Sequence, residues 1–550
     1  MIIRGNGKKI LMTLVLMAAL LVTTLSGAVL GTPAQAQAAG RTVTITSCVI
    51  QGGNVVVSAA ASQVPAAADG VYYLYADEVY QDGPVGQVVA TAPAGASAQF
   101  AFPLNNGTAE NNLMRKFIVA VKQGSGMVQV SDEHYITNPE AIATQTSRRN
   151  DHGIKGILPH FAEASTFKDL GVAQMVYNLY LGDIVGPSAD PALPTIEFPY
   201  CGAVYQFNTA EIAKYDAFVK WCSGNGFQLT MTIINNKTSR NADLIHPMSR
   251  DGHVCPGYAM NTKEPGGTAH LKAIATFLAA RYSGTDGHGQ VDNWVIGNEV
   301  NARTEWYHMS SANLELNVSE YVKAFRIFYN GIKSVNANAR VYNSIDQEWG
   351  RKSNPGCFLS REYLDRFTYY MSREGNIDWG LSFHPYNSPL YDPYAWNQPS
   401  VWVRQDASTP YITIENIDVL TSYMSQPAYL APNGQVRSIS LSEIGYTSSF
   451  GEDLQAASIV YAYLMAASNP HIDAFILFRE MDDAHEMQSH IAQGLKRTDG
   501  SLKPAYACYK ALGTGNAASA KAIATQVIGQ DVQTLVSQRV FQTRAGDGVR

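Results

Sequence analysis

From residue 41 to 138 apolar and polar positions alternate over short runs such as TVTITSCVI, GVYYLYADEV, AQFAFPL and RKFIVAVKQ, each closed by Gly, Pro or Asn. A period of two marks a half-buried strand, and seven or so such runs with no helical period predict a β-sandwich over 41–138. The polar stretch at 139–152, which contains ATQTSRRND, reads as a linker. Beyond it the texture changes. Strand-like runs at 153–158, 173–181, 227–234, 291–299, 339–346, 377–386, 438–446 and 472–480 alternate with segments whose apolar residues recur at three and four, such as 210–222, 269–282, 319–335, 361–372 and 453–468. Eight alternating units predict a (β/α)8 TIM barrel over 153–513, an α/β fold preceded by the N-terminal sandwich. The remaining 514–550 form a C-terminal tail with one predicted helix or strand.

The first nine residues carry three cations and no acid, 10–30 are almost wholly apolar, and small-x-small sites follow at 34–36 and 36–38. This is the form of a secretory signal peptide over 1–38, so a secreted protein of the extracellular space or cell envelope is expected, free of the membrane after cleavage. Losing Arg4, Lys8 and Lys9 with the leader takes the formal charge from −6 to −9, which is no footprint for nucleic acid. Six scattered cysteines without a CxxC pair suggest neither a zinc ribbon nor a disulfide scaffold.

In a barrel of this kind the reacting groups stand where strands end, so polar residues closing apolar strands are the candidates. The fourth strand runs Trp294-Val295-Ile296-Gly297 into Asn298-Glu299, and the seventh runs Ile439-Ser440-Leu441-Ser442 into Glu443. Two carboxyls across a cleft are what hydrolysis of a glycosidic bond requires, one protonated for the leaving oxygen and one ionised for the anomeric carbon.

NWVIGNEVN at 293–301 and SLSEIGY at 440–446 resemble the signature segments of the clan A retaining glycoside hydrolases, and the register agrees with the strand count. The resemblance covers roughly 153–513. It implies Glu299 as general acid/base, Glu443 as nucleophile and Asn298 as the partner of the sugar hydroxyl beside the anomeric carbon. His384 and Tyr386, in SFHPY, resemble the family's His-x-Tyr element, in which the tyrosine touches the nucleophile. TDGSLKPAYACYKAL at 498–512 resembles the turn and last helix of such barrels. Two departures mark a distant branch. Asn178 closes strand two where many members place an arginine, and Phe478-Arg479-Glu480 closes strand eight where many place a tryptophan.

The expected substrate-binding set is therefore Asn298, His384, Tyr386, Asn178 and the loop aromatics Trp306, Trp349, Trp396 and Trp402, on whose faces sugar rings stack. Other acids share the rim: Asp346 and Glu348 after strand five, and Glu480, Asp482, Asp483 and Glu486 at strand eight. The last group has no EF-hand spacing, and neither metal nor cofactor is expected. The expected partner is a poly- or oligosaccharide. A different class, a non-catalytic polysaccharide-binding surface protein on the same barrel, keeps the same aromatics; an esterase lacks its G-x-S-x-G elbow. The sandwich either binds carbohydrate or stabilises the barrel by packing.

Overall fold

The computed structural model describes residues 41–146, 153–160 and 163–546. The expected leader at 1–38 and the linker segment 147–152 lie outside them. Seven strands come first: β1 (Val43–Gln51), β2 (Asn54–Ala61), β3 (Val71–Asp77), β4 (Gln87–Pro93), β5 (Ser97–Pro103), β6 (Lys116–Gln123) and β7 (Gly126–Gln129). They form two antiparallel sheets, β1-β2-β5 and β4-β3-β6-β7. The alternation seen in sequence becomes burial: Val55 and Val57 of β2 are fully buried while Asn54 is exposed. Phe102 of β5 and Phe117 of β6 meet across the sheets with centroids 5.3 Å apart, so the two inner faces share one core.

A closed parallel barrel follows, of β8 (Lys155–Ile157), β9 (Gln174–Tyr180), then, after a hairpin of β10 (Ile196–Tyr200) and β11 (Ala203–Phe207), β12 (Gln228–Ile234), β13 (Asn293–Ile296), β14 (Arg340–Asp346), β15 (Gly380–His384), β16 (Ile439–Ile444) and β17 (Ile472–Leu477). A helix follows each of the eight, the longest being Leu314–Lys333. β12 is buried at every position, as a parallel strand covered on both faces must be. Helix starts are written locally: Asn313 Oδ1 accepts the Leu316 N–H at 2.9 Å, and Pro265 and Pro504 open their helices.

The described residues form one compact unit. The sandwich docks on outer helices of the barrel. Asn330 donates to the Leu113 carbonyl at 2.8 Å, and Arg373 reaches Asp132 at 2.6 Å. The tail differs from its single predicted element: it forms two helices, Ala517–Ile528 and Val532–Gly546. Arg539 on the second pairs with the buried Glu415 at 2.7 Å. Small residues such as Ala520 and Ala524 provide the closely packed face, a weaker signal in sequence than large apolar ones. All six cysteines are unpaired. No helix among the described residues is long and apolar enough to cross a membrane.

Candidate active site

β13 ends in a tight turn that places Glu299. Gly297 sits at φ +79°, where a Cβ would meet Val300 Cγ1 at 2.7 Å, so glycine is required. Glu299 itself is at φ +39°, a conformation non-glycine residues adopt at a cost and hold only when the surroundings dictate it. β14 supplies that constraint. The Glu299 N–H donates to Ser344 Oγ at 3.1 Å and the Val300 N–H to the Ser344 carbonyl at 2.9 Å.

Glu443 is the only partly exposed residue in the otherwise buried β16. Tyr386, just past β15, donates its hydroxyl to Glu443 Oε2 at 3.3 Å. His384, the last residue of β15, lies between the two carboxyls: its Nδ1 is 2.7 Å from Glu299 Oε1 and 3.8 Å from Glu443 Oε2. Those oxygens are thus at most 6.5 Å apart, the sum of their distances to that one nitrogen. The side chains of Glu299 and Glu443 keep 14% and 16% of their surface exposed, which leaves each reachable at the rim but largely dry.

Dryness sets the proton affinities. Burial, and then the charges of Glu305 and Glu348, push Glu299 up to about 8, so it is a protonated acid at neutral pH. Burial also raises Glu443, and the Tyr386 hydrogen bond pulls it back. Burial lowers His384 and keeps it neutral. One proton placement satisfies every contact: the Glu299 O–H donates to Nδ1, and Nε2–H donates to Ser442 Oγ at 3.1 Å. The pair is thereby differentiated into an acid and a more readily ionised partner.

The expected binding residues divide. Asn298 is buried at this rim with an Oδ1 that has no hydrogen-bond partner among the described residues, the state of an acceptor left for a ligand donor. Asn178 is half-buried on β9 and hydrogen-bonds the Tyr180 side chain. Tyr180, which sequence reading missed, senses the charge of Glu443; its position two residues beyond Asn178 on the same face of the strand was the available signal.

Two expectations are corrected. His384 is 1% exposed with both ring nitrogens engaged, so it serves the carboxyls and is no direct sugar ligand. Trp349 is fully buried; its indole N–H donates to the Ala407 carbonyl at 3.2 Å and its ring stands edge-on to Tyr423, which makes it a core residue and no stacking platform. Trp306, Trp396 and Trp402 are half-buried. Arg351 stacks over the ring of Trp402, 5.6 Å from its centroid, and Tyr394 meets Trp396 edge-on.

The remaining acids near strand eight are held structurally. Glu480 pairs with Lys496 at 2.8 Å and Asp482 with Lys503 at 2.7 Å, while Asp483 and Glu486 lie against Arg479. Among the described residues no cluster of three His, Cys, Asp or Glu is arranged to hold a metal. The opposite end of the barrel also carries a cavity, with Arg340, Asp378, Arg437 and Asp473 in its lining. There Arg340 pairs with Asp473 at 2.7 Å, a stabilising contact at the face of the barrel away from the reacting strand ends.

Residues 147–535 match the model of a family described as a family of unknown function, DUF5722. No curated protein matches the chain in sequence. Among solved structures it is similar to a family 39 glycoside hydrolase from the gut symbiont Bacteroides cellulosilyticus WH2, at 15% identity and TM-score 0.40 over 85% of this chain and 81% of that one. It is also similar to a glucosidase from Croceicoccus marinus, at 14% identity and TM-score 0.42 over 68% of this chain and 69% of that one. A third is a calcium-binding mutant of β-glucuronidase 2 from Bacteroides uniformis, at 11% identity and TM-score 0.39 over 86% of this chain and 50% of that one.

Proposed function

We propose that the chain, which belongs to the family of unknown function DUF5722, is a secreted glycoside hydrolase that cleaves O-glycosidic bonds of a poly- or oligosaccharide with retention of configuration. One observation carries the reading: two carboxyls at the ends of β13 and β16 lie within 6.5 Å by way of the His384 nitrogen they share, the upper bound set by its 2.7 and 3.8 Å contacts. A direct attack needs roughly 5–5.5 Å between carboxyls, whereas an intervening water needs roughly 6.5–9.5 Å.

In the first displacement Glu443 attacks the anomeric carbon while Glu299 gives its proton to the departing glycosidic oxygen. The C–O bond to the leaving group breaks as the bond to Glu443 forms. In the second, Glu299, now ionised, takes a proton from water, whose oxygen attacks the same carbon and releases Glu443. Tyr386 steadies the ionised nucleophile. The open Oδ1 of Asn298 accepts from the hydroxyl beside the anomeric carbon. No step requires a cofactor.

The test is hydrolysis of a glycan panel by the mature chain, followed by proton NMR of the first-formed anomer. Retention, loss of turnover in Glu443→Gln, and covalent labelling of Glu443 by a 2-deoxy-2-fluoro glycoside are expected. Inversion sinks the double displacement. Glycan binding without any turnover favours the non-catalytic binding protein.

A further inference from the structure

The two-carboxyl mechanism leaves Asp346 without a role, yet Asp346 stands against it. Asp346 is the last residue of β14 and the register partner of His384, and it is 6% exposed. The Glu299 segment is tied to this strand end by the two contacts to Ser344 and by a third, the Asp346 N–H donating to Asn301 Oδ1 at 3.2 Å. The Asp346 carboxyl is built in rather than loose: its Oδ1 accepts the Ser360 hydroxyl at 2.6 Å and the Glu348 N–H at 2.8 Å.

Asp346 feels the charges of Glu299, in the turn after β13, and of Glu348 in its own loop, and its own charge acts on His384 of β15 and on Cys357 before the helix Ser360–Arg373. Among the described residues no lysine or arginine pairs with Asp346, Glu299, Glu348 or Glu443, and the one nearby imidazole is neutral. Buried carboxyls that feel one another's charge in a dry site without a counter-cation resist ionising together.

Resting on the assignment of Glu299 as acid/base, we propose that Asp346 is its positioning residue, a third carboxyl coupled to it so that ionisation of either one holds the proton on the other. In the free enzyme an ionised Asp346 helps Glu299 keep its proton until the leaving oxygen takes it. Once Glu299 has given up that proton, Asp346 binds one from solvent, so the site never carries both charges. Burial and the neighbouring Glu299 push Asp346 up to about 7, in keeping with this exchange.

The experiment is an infrared titration of the carboxyl bands in the whole protein and in the variants Glu299→Gln and Asp346→Asn. Each substitution lowers the other group's midpoint, by about one pH unit or more, and the two shifts are equal because the coupling is reciprocal. Ser360→Ala, which removes the hydroxyl donated to Oδ1, raises the Asp346 midpoint and through the coupling lowers that of Glu299; it serves if Asp346→Asn fails to fold, and a Glu299 midpoint that stays put overturns the proposal. An Asp346 that titrates in the ordinary carboxylate range, or midpoints that ignore each other, overturns the proposal. In activity, Asp346→Asn moves the alkaline limb of kcat/KM to lower pH by the same shift, which a merely structural role would not do. The two readings fail separately. A protein that hydrolyses no glycan but shows coupled midpoints loses the glycosidase assignment alone, whereas turnover with uncoupled midpoints removes only the role of Asp346.

Discussion

Nδ1 of His384 lies 2.7 Å from Oε1 of Glu299, and the imidazole is 1% exposed. A buried neutral ring in that place accepts the hydrogen bond of the acid's O–H and fixes which way the carboxyl faces. Replacing His384 with Ala frees Glu299 to rotate. We expect kcat to fall about a hundredfold with a much smaller change in KM, the pattern of a group needed in the transition state more than in binding. Steady-state kinetics on the best substrate of the panel checks it, and a change confined to KM would contradict it.

Tyr386 acts on the other carboxyl. Its hydroxyl donates to Glu443 at 3.3 Å and helps hold Glu443 below the value burial alone would set. A hydrogen bond to a charged group is worth about 1.5–3 kcal/mol, so Tyr386→Phe should lose roughly ten- to hundredfold in kcat/KM. With the donor gone the Glu443 carboxyl binds its proton more tightly, and the acidic limb of the pH profile should move to higher pH.

Glu299 links the site to stability. Its carboxyl binds a proton up to about 8 in the folded protein against 4.5 ordinarily. Between those values the native state holds a proton that the unfolded chain has released, so this group's contribution to stability falls as pH rises, by about 1.4 kcal/mol for each unit. Below 4.5 and above about 8 its contribution is flat. Glu299→Gln removes that slope. Urea midpoints of the two proteins should coincide best near pH 4.5 and diverge toward pH 8, with the variant the more stable. Parallel curves across this range would show that Glu299 titrates normally.

The last helix is a structural element of the barrel. Arg539 offsets the charge of Glu415, whose other oxygen accepts the Gln398 N–H at 2.7 Å. Arg539→Ala should cost about 1–3 kcal/mol by leaving a buried carboxylate unpaired, and adding Glu415→Gln should restore part of the loss. Unchanged denaturation midpoints in Arg539→Ala would show the helix to be dispensable.

Much of this protein could be read along the chain because its information is local. Each barrel strand is a short apolar run ending in polar residues, and the segments between carry helical periods, so strand number and the rim position of Glu299 and Glu443 followed from counting. The Tyr386–Glu443 contact was implied by the resemblance of SFHPY and SLSEIGY to short family motifs. What the chain could not disclose depends on which side chains burial removes from water. Trp349 and Trp396 look alike as loop tryptophans, yet the fold buries Trp349 completely and leaves Trp396 half-buried. His384 was visible as a polar strand end, but only closure of the barrel placed it between the two carboxyls. Asp346 read as one rim acid among several, and its company with Glu299 exists only because β14 lies beside β13. Sequence determined the elements and the residues at their ends, whose signals span a few positions. The tertiary structure decided distances, desolvation and hence proton affinities, because these arise between residues far apart in the chain.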